Sequence, residues 1–365
     1  MKHPKDKIIK VMIVAGARPN FVKIAPLFCE FKRHPEIKPI LVHTGQHYDF
    51  EMSQVFFQDL DIPKPDYDLG VAAGTHGAQT GQTMIKLEEV VQKTNPDIVV
   101  VVGDVNSTVA AALVASKLHI PVAHIEAGLR SFDKTMPEEI NRVLTDHISD
   151  ILFCPTKTAV INLKKEGIIK GVYNTGDIMF DILRMKAGNR ISETLNELGI
   201  KPKDYFLLTI HRAANTDNEK NLKRIVDAIV EMKENIIFPV HPRTKAKLEN
   251  FGLAKIILGK DNIKIIQPVG YLEMLSLEKN AKKILTDSGG VQKEAFWFGV
   301  PCITLREETE WTETLNGGWN ILAGTNKTKI RNAVLQPVKS RKRGDYYGNG
   351  HAAKKIVAGL IRKIK

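Results

Sequence analysis

The chain has 365 residues, 43% of them hydrophobic and 26% charged, the balance of a globular protein too long for one comfortable core, so two domains are expected. Lys plus Arg outnumber Asp plus Glu by 53 to 41, for a net charge of +12. The basic residues are scattered: the richest tract, Lys339 to Arg343, falls in an expected loop, and no aromatic is interleaved with a basic stripe, which argues against nucleic acid as a partner. No stretch of about 18 apolar residues is present to span a membrane. The charged start leads into a short apolar run that reads as a strand, not a signal peptide. A cytoplasmic chain with no membrane partner is expected, in which the sequons at Asn106 and Asn326 mean little. Cys29, Cys154 and Cys302 are odd in number and far apart, so neither a disulfide framework nor a zinc site follows. Each reads as a small buried hydrophobe.

In chain order, Ile8 to Ala15 predicts a strand, Phe21 to Arg33 a helix and Ile37 to Thr44 a second strand. Asp97 to Val102 is a continuous apolar run, as for a strand covered on both faces. An Ala-rich helix follows over Thr108 to Leu118. Further strands are expected at Val122 to Ile125, Ile151 to Cys154 and Val172 to Thr175. The rhythm restarts with a strand at Phe206 to Ile210 and a helix at Asn221 to Lys233. Strands at Ile236 to Val240, Ile263 to Ile266, Ile284 to Leu285 and Cys302 to Leu305 continue it, with a helix over Gly289 to Phe298. Gly350 to Lys365 reads as a last amphipathic helix. The alternation predicts an α/β fold of two doubly wound, Rossmann-like domains. The first covers 1–178, joined by the helix 350–365, and the second covers 179–349. Ligands of such sheets bind outside the carboxyl ends of the strands, which puts the active site in an interdomain cleft.

The polar residues just after each strand carry the chemistry. Gly16-Ala17-Arg18-Pro19 ends the first strand, with Arg18 placed for an anion or simply for solvent. Asp104 follows the strand ending at Val102; Asp104, Asn106 or Ser107 could also serve as a helix N-cap. Glu126 ends another strand, and Pro137-Glu138-Glu139 suits a first helical turn. Glu138 and Arg142, four apart, share a helix face and could form a surface ion pair. Three acids on one edge of one domain repel each other, which points to a task. In the second half His211-Arg212 and His241-Pro242-Arg243 follow strands. Thr286-Asp287-Ser288-Gly289-Gly290 is the most specific piece. Its glycines and helix start suit a phosphate, and Glu294, about one and a half turns on, could reach a ribose. No P-loop, dinucleotide fingerprint, nucleophile elbow or zincin motif is present.

GARPNFVKIAPL, TGQHYD, GDVNST, HIEAGLRS, PEEINR, HR, TDSGGVQKEA and GVPCITLREETE, in that order, resemble the non-hydrolysing UDP-N-acetylglucosamine 2-epimerases over nearly the whole chain. The resemblance implies a glycosyltransferase-B-like pair of domains, a homodimer, no metal or nicotinamide cofactor, and a product that feeds polysaccharide biosynthesis. It implies Asp104, Glu126, Glu138 and His211 as catalytic groups. Arg18, Lys23, Arg142, His241, Tyr271, Ser288, Gly289, Gly290 and Glu294 are implied as substrate-binding groups. The implied reaction turns UDP-N-acetylglucosamine into UDP-N-acetylmannosamine by elimination and re-addition of UDP through 2-acetamidoglucal.

Three departures stand out. Tyr48 and Asp49, and Ala213 after His211-Arg212, fall where the best-known bacterial members bind a second, activating UDP-N-acetylglucosamine. Trp311-Thr312-Glu313 replaces a common Arg-Pro-Glu and occurs in relatives acting on a UDP-linked diacetamido uronic acid, the alternative substrate. A retaining UDP-sugar glycosyltransferase would share the phosphate loop and the ribose acid, but has no use for three carboxylates in the first domain. A hydrolysing epimerase and a non-catalytic binder are the remaining alternatives.

Overall fold

The computed structural model describes residues 8–16, 18–45, 57, 60–72, 74–186, 193–337 and 343–364. Tyr48 and Asp49, and most of the basic tract at 339–343, lie outside the described residues. The chain divides into two compact units, one of Met1–Met185 with Asp345–Lys365 and one of Lys186–Gly344.

The first unit runs β1 (Ile9–Ala15), α1 (Arg18–Phe31), β2 (Ile37–His43), β3 (Tyr67–Asp68), α2 (His76–Thr94), β4 (Ile98–Val102), α3 (Asn106–Lys117) and β5 (Val122–Ile125). It continues with α4 (Pro137–Ile148), β6 (Ile151–Cys154), α5 (Lys157–Lys165), β7 (Val172–Asn174) and α6 (Ile178–Lys186). The second unit holds α7 (Glu193–Leu198), β8 (Tyr205–Thr209), α8 (Ala213–Thr216), α9 (Glu219–Ile229), β9 (Asn235–Pro239), α10 (Pro242–Asn250) and α11 (Ala254–Leu258). It goes on through β10 (Ile263–Ile266), α12 (Tyr271–Asn280), β11 (Lys283–Thr286), α13 (Gly289–Phe298), β12 (Cys302–Thr304), β13 (Asn320–Leu322) and α14 (Lys327–Leu335). The chain then returns to the first unit with α15 (Ala352–Ile364), which packs on α1.

Both sheets are parallel, in the orders β3-β2-β1-β4-β5-β6-β7 and β10-β9-β8-β11-β12-β13. The sequence periodicity explains why. In β8 the side chains of Phe206 and Leu208 enter one apolar cluster, and those of Tyr205 and Leu207 enter another. Alternate residues of a strand point to opposite faces, so a wholly apolar strand needs helices on both. All of β4 is buried for the same reason.

Each sheet reverses its winding once, between β1 and β4 in the first unit and between β8 and β11 in the second. At such a switch point the two following loops diverge and leave room for a ligand. Those loops are the ones that begin at Gly16, Gly103, Ile210 and Asp287. Of the cysteines, Cys154 and Cys302 are buried, whereas Cys29 is only half-buried.

Candidate functional site

In the first unit the switch point gathers charge around Gly103. Gly103 has φ of +70°, and a Cβ there would lie 3.1 Å from Lys23 Nζ, 3.4 Å from Asn20 Nδ2 and 3.6 Å from Glu126 Oε2. Lys23 projects from α1 and ion-pairs with Glu126. Glu126 is buried and left-handed, at φ of +71°. A bulky residue in that region is strained, and strain persists where the surroundings over-determine it, most often at working sites.

Asp104 is not the cap of α3. The N-cap position falls on Val105, and no side chain caps there. The Asp104 carboxylate instead ion-pairs with Arg142 of α4, and its carbonyl accepts from Asn141 Nδ2 at 2.9 Å. Arg142 also binds Glu139 Oε2 at 3.0 Å. Glu139 is buried and accepts from Ser131 N and Oγ, each at 2.9 Å, and from Phe132 N at 3.0 Å. It therefore ties the loop after β5 to α4. Glu138, its neighbour, is half-buried and makes no hydrogen bond or ion pair among the described residues. It sits in the first turn of α4, where the helix dipole favours a negative charge.

A buried network underlies both acidic turns. His124 bridges Asp146 Oδ1 at 2.7 Å and the Gly103 carbonyl at 2.9 Å. Asp146 Oδ2 accepts from Gly128 N at 3.0 Å and from Arg130 at 2.6 Å. Burial pushes the Asp146 carboxyl up, but His124 and Arg130 outweigh it and hold the carboxyl below its usual value.

In the second unit β8 ends at His211. Asp287, wholly buried at the end of β11, accepts from His211 N at 3.1 Å, Arg212 N at 3.1 Å and Asn215 Nδ2 at 3.0 Å. The His211 ring stands over it, Nδ1 to Oδ1 3.5 Å. Protein crowding around the ring lowers the basicity of His211; Asp287 opposes this, while Arg212 and His241 add to it. His241 is the N-cap of α10 and accepts from Arg243 N at 3.2 Å.

Ser288 caps α13 by accepting from Val291 N, leaving the N–H groups of Gly289 and Gly290 as donors for an anion. The chain itself brings one close. A Cβ on Gly289 would lie 2.5 Å from Glu310 Oε1, so the glycine is what admits that carboxylate. Arg306 at 3.0 Å and Arg212 at 3.9 Å accompany Glu310. Beside it, Lys293 Nζ stands 3.7 Å from the centre of the Trp311 ring, a cation–π contact. Glu294 is buried on α13 and accepts from the Tyr271 hydroxyl at 2.9 Å.

A family model described as UDP-N-acetylglucosamine 2-epimerase matches residues 29–361. The chain belongs to that family. A UDP-N-acetylglucosamine 2-epimerase homolog of Methanococcus maripaludis is 55% identical over 357 residues, 96% of this chain and 99% of the relative. The UDP-2,3-diacetamido-2,3-dideoxy-D-glucuronate 2-epimerase of Pseudomonas aeruginosa is 45% identical over 365 residues, 97% of this chain and 100% of the relative. A crystal structure of the Methanocaldococcus jannaschii UDP-GlcNAc 2-epimerase with UDP-GlcNAc and UDP superposes with a TM-score of 0.88 at 47% identity, covering 97% and 100% of the two chains. This epimerase, an isomerase, shares their two-sheet α/β architecture.

The structure thus brings Lys23, Asp104, Glu126 and Arg142 together at one switch point, with Glu138 on the same helix as Arg142. It brings His211, His241, Ser288 and Gly289 to the other, with Tyr271 on Glu294. Arg18 opens α1, and its side chain lies outside the described residues. Glu139, Asp287 and Glu310 were not anticipated. Glu139 cannot be told from Glu138 by residue type, and Asp287 reads as an ordinary turn acid until its three donors, His211 N, Arg212 N and Asn215 Nδ2, are counted.

Proposed function

We propose that this enzyme inverts C2 of UDP-N-acetylglucosamine to give UDP-N-acetylmannosamine through bound 2-acetamidoglucal and UDP. The observation that carries the reading is the trio of carboxylates after β4, after β5 and at the start of α4: Asp104 on Arg142, Glu126 on Lys23, and Glu138 with no partner among the described residues. The C2 proton of the sugar has no adjacent carbonyl and becomes acidic only as UDP leaves C1. A base takes that proton, the C2–H electron pair becomes the C1=C2 double bond, and the C1–O pair departs with UDP. Return of a proton to the other face of C2, with UDP adding back to C1, completes the inversion. The carboxylates stabilise the ring cation and move the proton. The start of α13, Arg18 and His211 take the diphosphate, and Glu294 accepts from the ribose hydroxyls.

A second substrate, a UDP-linked diacetamido uronic acid, is favoured by Trp311-Thr312-Glu313 and by the Pseudomonas relative. Proton NMR of the purified enzyme with UDP-N-acetylglucosamine in deuterium oxide separates these readings. Deuterium at C2 with a UDP-N-acetylmannosamine signal is the expected result. Turnover of the uronic acid substrate alone would shift the reading to the second, and no reaction with either would end both.

The same proposal makes the enzyme a cytoplasmic homodimer. Three unpaired cysteines fit a reducing compartment, and no helix among the described residues is long and apolar enough to cross a membrane. Ile140, Leu144 and Ile85 stand 50%, 48% and 65% exposed on α4 and α2, which both pack on α3. Sedimentation velocity showing a monomer at micromolar concentration would remove the dimer.

A further inference from the structure

His124 of β5 is wholly buried, yet both of its ring nitrogens meet acceptors. Nδ1 stands 2.7 Å from Asp146 Oδ1, and Nε2 stands 2.9 Å from the Gly103 carbonyl oxygen. A carbonyl oxygen carries no proton, so Nε2 donates. Asp146 is ionised, for its other oxygen accepts from Arg130 at 2.6 Å and from Gly128 N at 3.0 Å. Nδ1 therefore donates as well, and a ring that donates from both nitrogens is the imidazolium. Arg130 also pairs with Glu166 at 2.6 Å, so the cations His124 and Arg130 answer the carboxylates Asp146 and Glu166. Burial, reinforced by the Asp146 charge, raises the Cys154 thiol of β6, which stays neutral beside them.

An apolar residue would fill this space without the cost of burying a charge. What the ring adds is its hold on Gly103. Gly103 N donates to the Ile125 carbonyl at 3.0 Å, which anchors the residue on its N-terminal side only. Its φ is +70°, and a glycine resists rotation about its backbone bonds less than any other residue. The peptide that follows is the one from which Asp104 springs. Helix α4 supplies the hold on both ends of Asp104. Arg142 pairs with the carboxylate. Asp146, four residues on and on the same helix face, braces the ring that binds the peptide.

We infer that His124 is a positioning residue: its imidazolium, braced on Asp146, fixes the Gly103–Asp104 peptide and thereby aims the Asp104 carboxylate at the sugar ring. This rests on the catalytic role proposed for Asp104. The buried ring acts on the chemical step only through the direction of that side chain, where a displacement of about 1 Å can cost on the order of a hundredfold in rate.

Two amide variants of the full-length enzyme test it, because the Gln nitrogen stands roughly where Nε2 does and the Asn nitrogen roughly where Nδ1 does. His124→Gln keeps a donor for Gly103 and loses the one for Asp146. It is expected to unfold at lower urea but to keep kcat for deuterium exchange at C2 within about fivefold of wild type. His124→Asn keeps the donor for Asp146 and releases the Gly103 peptide. It is expected to be the more stable of the two and to lose roughly a hundredfold in kcat, with KM changed by less than about threefold. Activity and stability thus rank the variants in opposite orders. Variants whose kcat values are equal, or follow their stability, overturn the inference alone. A wild type that exchanges no deuterium at C2 overturns the reaction itself and the inference with it, so the two failures are distinct. Nitrogen NMR of isotope-labelled histidine rings in the wild type gives a check that needs no active variant. One ring is expected to carry slowly exchanging protons on both nitrogens and to be the signal missing from either variant. A His124 ring with a proton on one nitrogen only overturns the inference.

Discussion

Glu126 holds its carboxylate on Lys23 from a left-handed backbone, at φ of +71°, immediately after β5. Few side chains tolerate that conformation, and the ion pair ties the strained turn to α1. The carboxylate is thus fixed in direction before any substrate arrives, as transition-state stabilisation requires.

Glu126→Gln is therefore expected to cut turnover by roughly a hundred- to ten-thousandfold, the usual worth of a proton-transferring group. UDP affinity should change by less than about threefold, because the loss falls on the chemical step. Deuterium incorporation at C2 and calorimetric UDP binding measure the two quantities. Equal losses in both would show a binding role instead.

Glu138 and Glu139 are neighbours with opposite expectations. Glu139→Gln leaves Arg142 with one partner fewer and turns an amide toward N–H donors, at a cost of about 3 kcal/mol. Glu138→Gln should stay within about 0.5 kcal/mol of wild type and lose turnover instead. Urea unfolding followed by circular dichroism, beside the C2 exchange assay, separates the pair.

Asp146 links stability to acid. Its folded carboxyl titrates below the unfolded value of about 4, since His124 and Arg130 outweigh burial. The stabilisation is complete above the unfolded value and is lost as pH falls through the lower folded value. Asp146→Asn should be less stable than wild type at pH 7, with the gap narrowing on descent below about pH 4. Urea midpoints at both pH values give the answer, and a gap that does not change with pH would contradict the linkage.

Two glycines with similar backbones should respond differently to alanine. Gly128 has φ of +79°, and a Cβ would lie 2.4 Å from the Ala159 carbonyl oxygen. Gly167 has φ of +82° and nothing within 4 Å. Gly167→Ala should cost only the left-handed penalty of about 1–2 kcal/mol. Gly128→Ala adds a backbone clash and should cost more than about 4 kcal/mol. Thermal melts of the two variants measure the difference.

The sequence by itself determined the α/β alternation, most of the strands and which residues stand at their ends. Apolar runs such as Ile98–Val102 and the Ser288-Gly289-Gly290 helix start depend on local periodicity and local backbone geometry, which a few neighbours settle. The short strands β3 and β13 and several helices, α2, α5, α6, α12 and α14 among them, are not marked by that periodicity; β3 and β13 have only 2 and 3 residues, and only Thr83, Leu87 and Val91 are buried along α2. Only the tertiary structure decided which partner each polar group meets. Adjacent residues on a helix point about 100° apart, so Glu139 turns inward to Ser131 while Glu138 meets no partner among the described residues. Asp104 is spaced like a cap, but 38 residues on the chain supplies Arg142, and a guanidinium is the stronger partner for a carboxylate. Glu310 on Gly289 arises in the same way, from packing that brings a distant acid to the start of α13, where neither spacing nor residue type marks it.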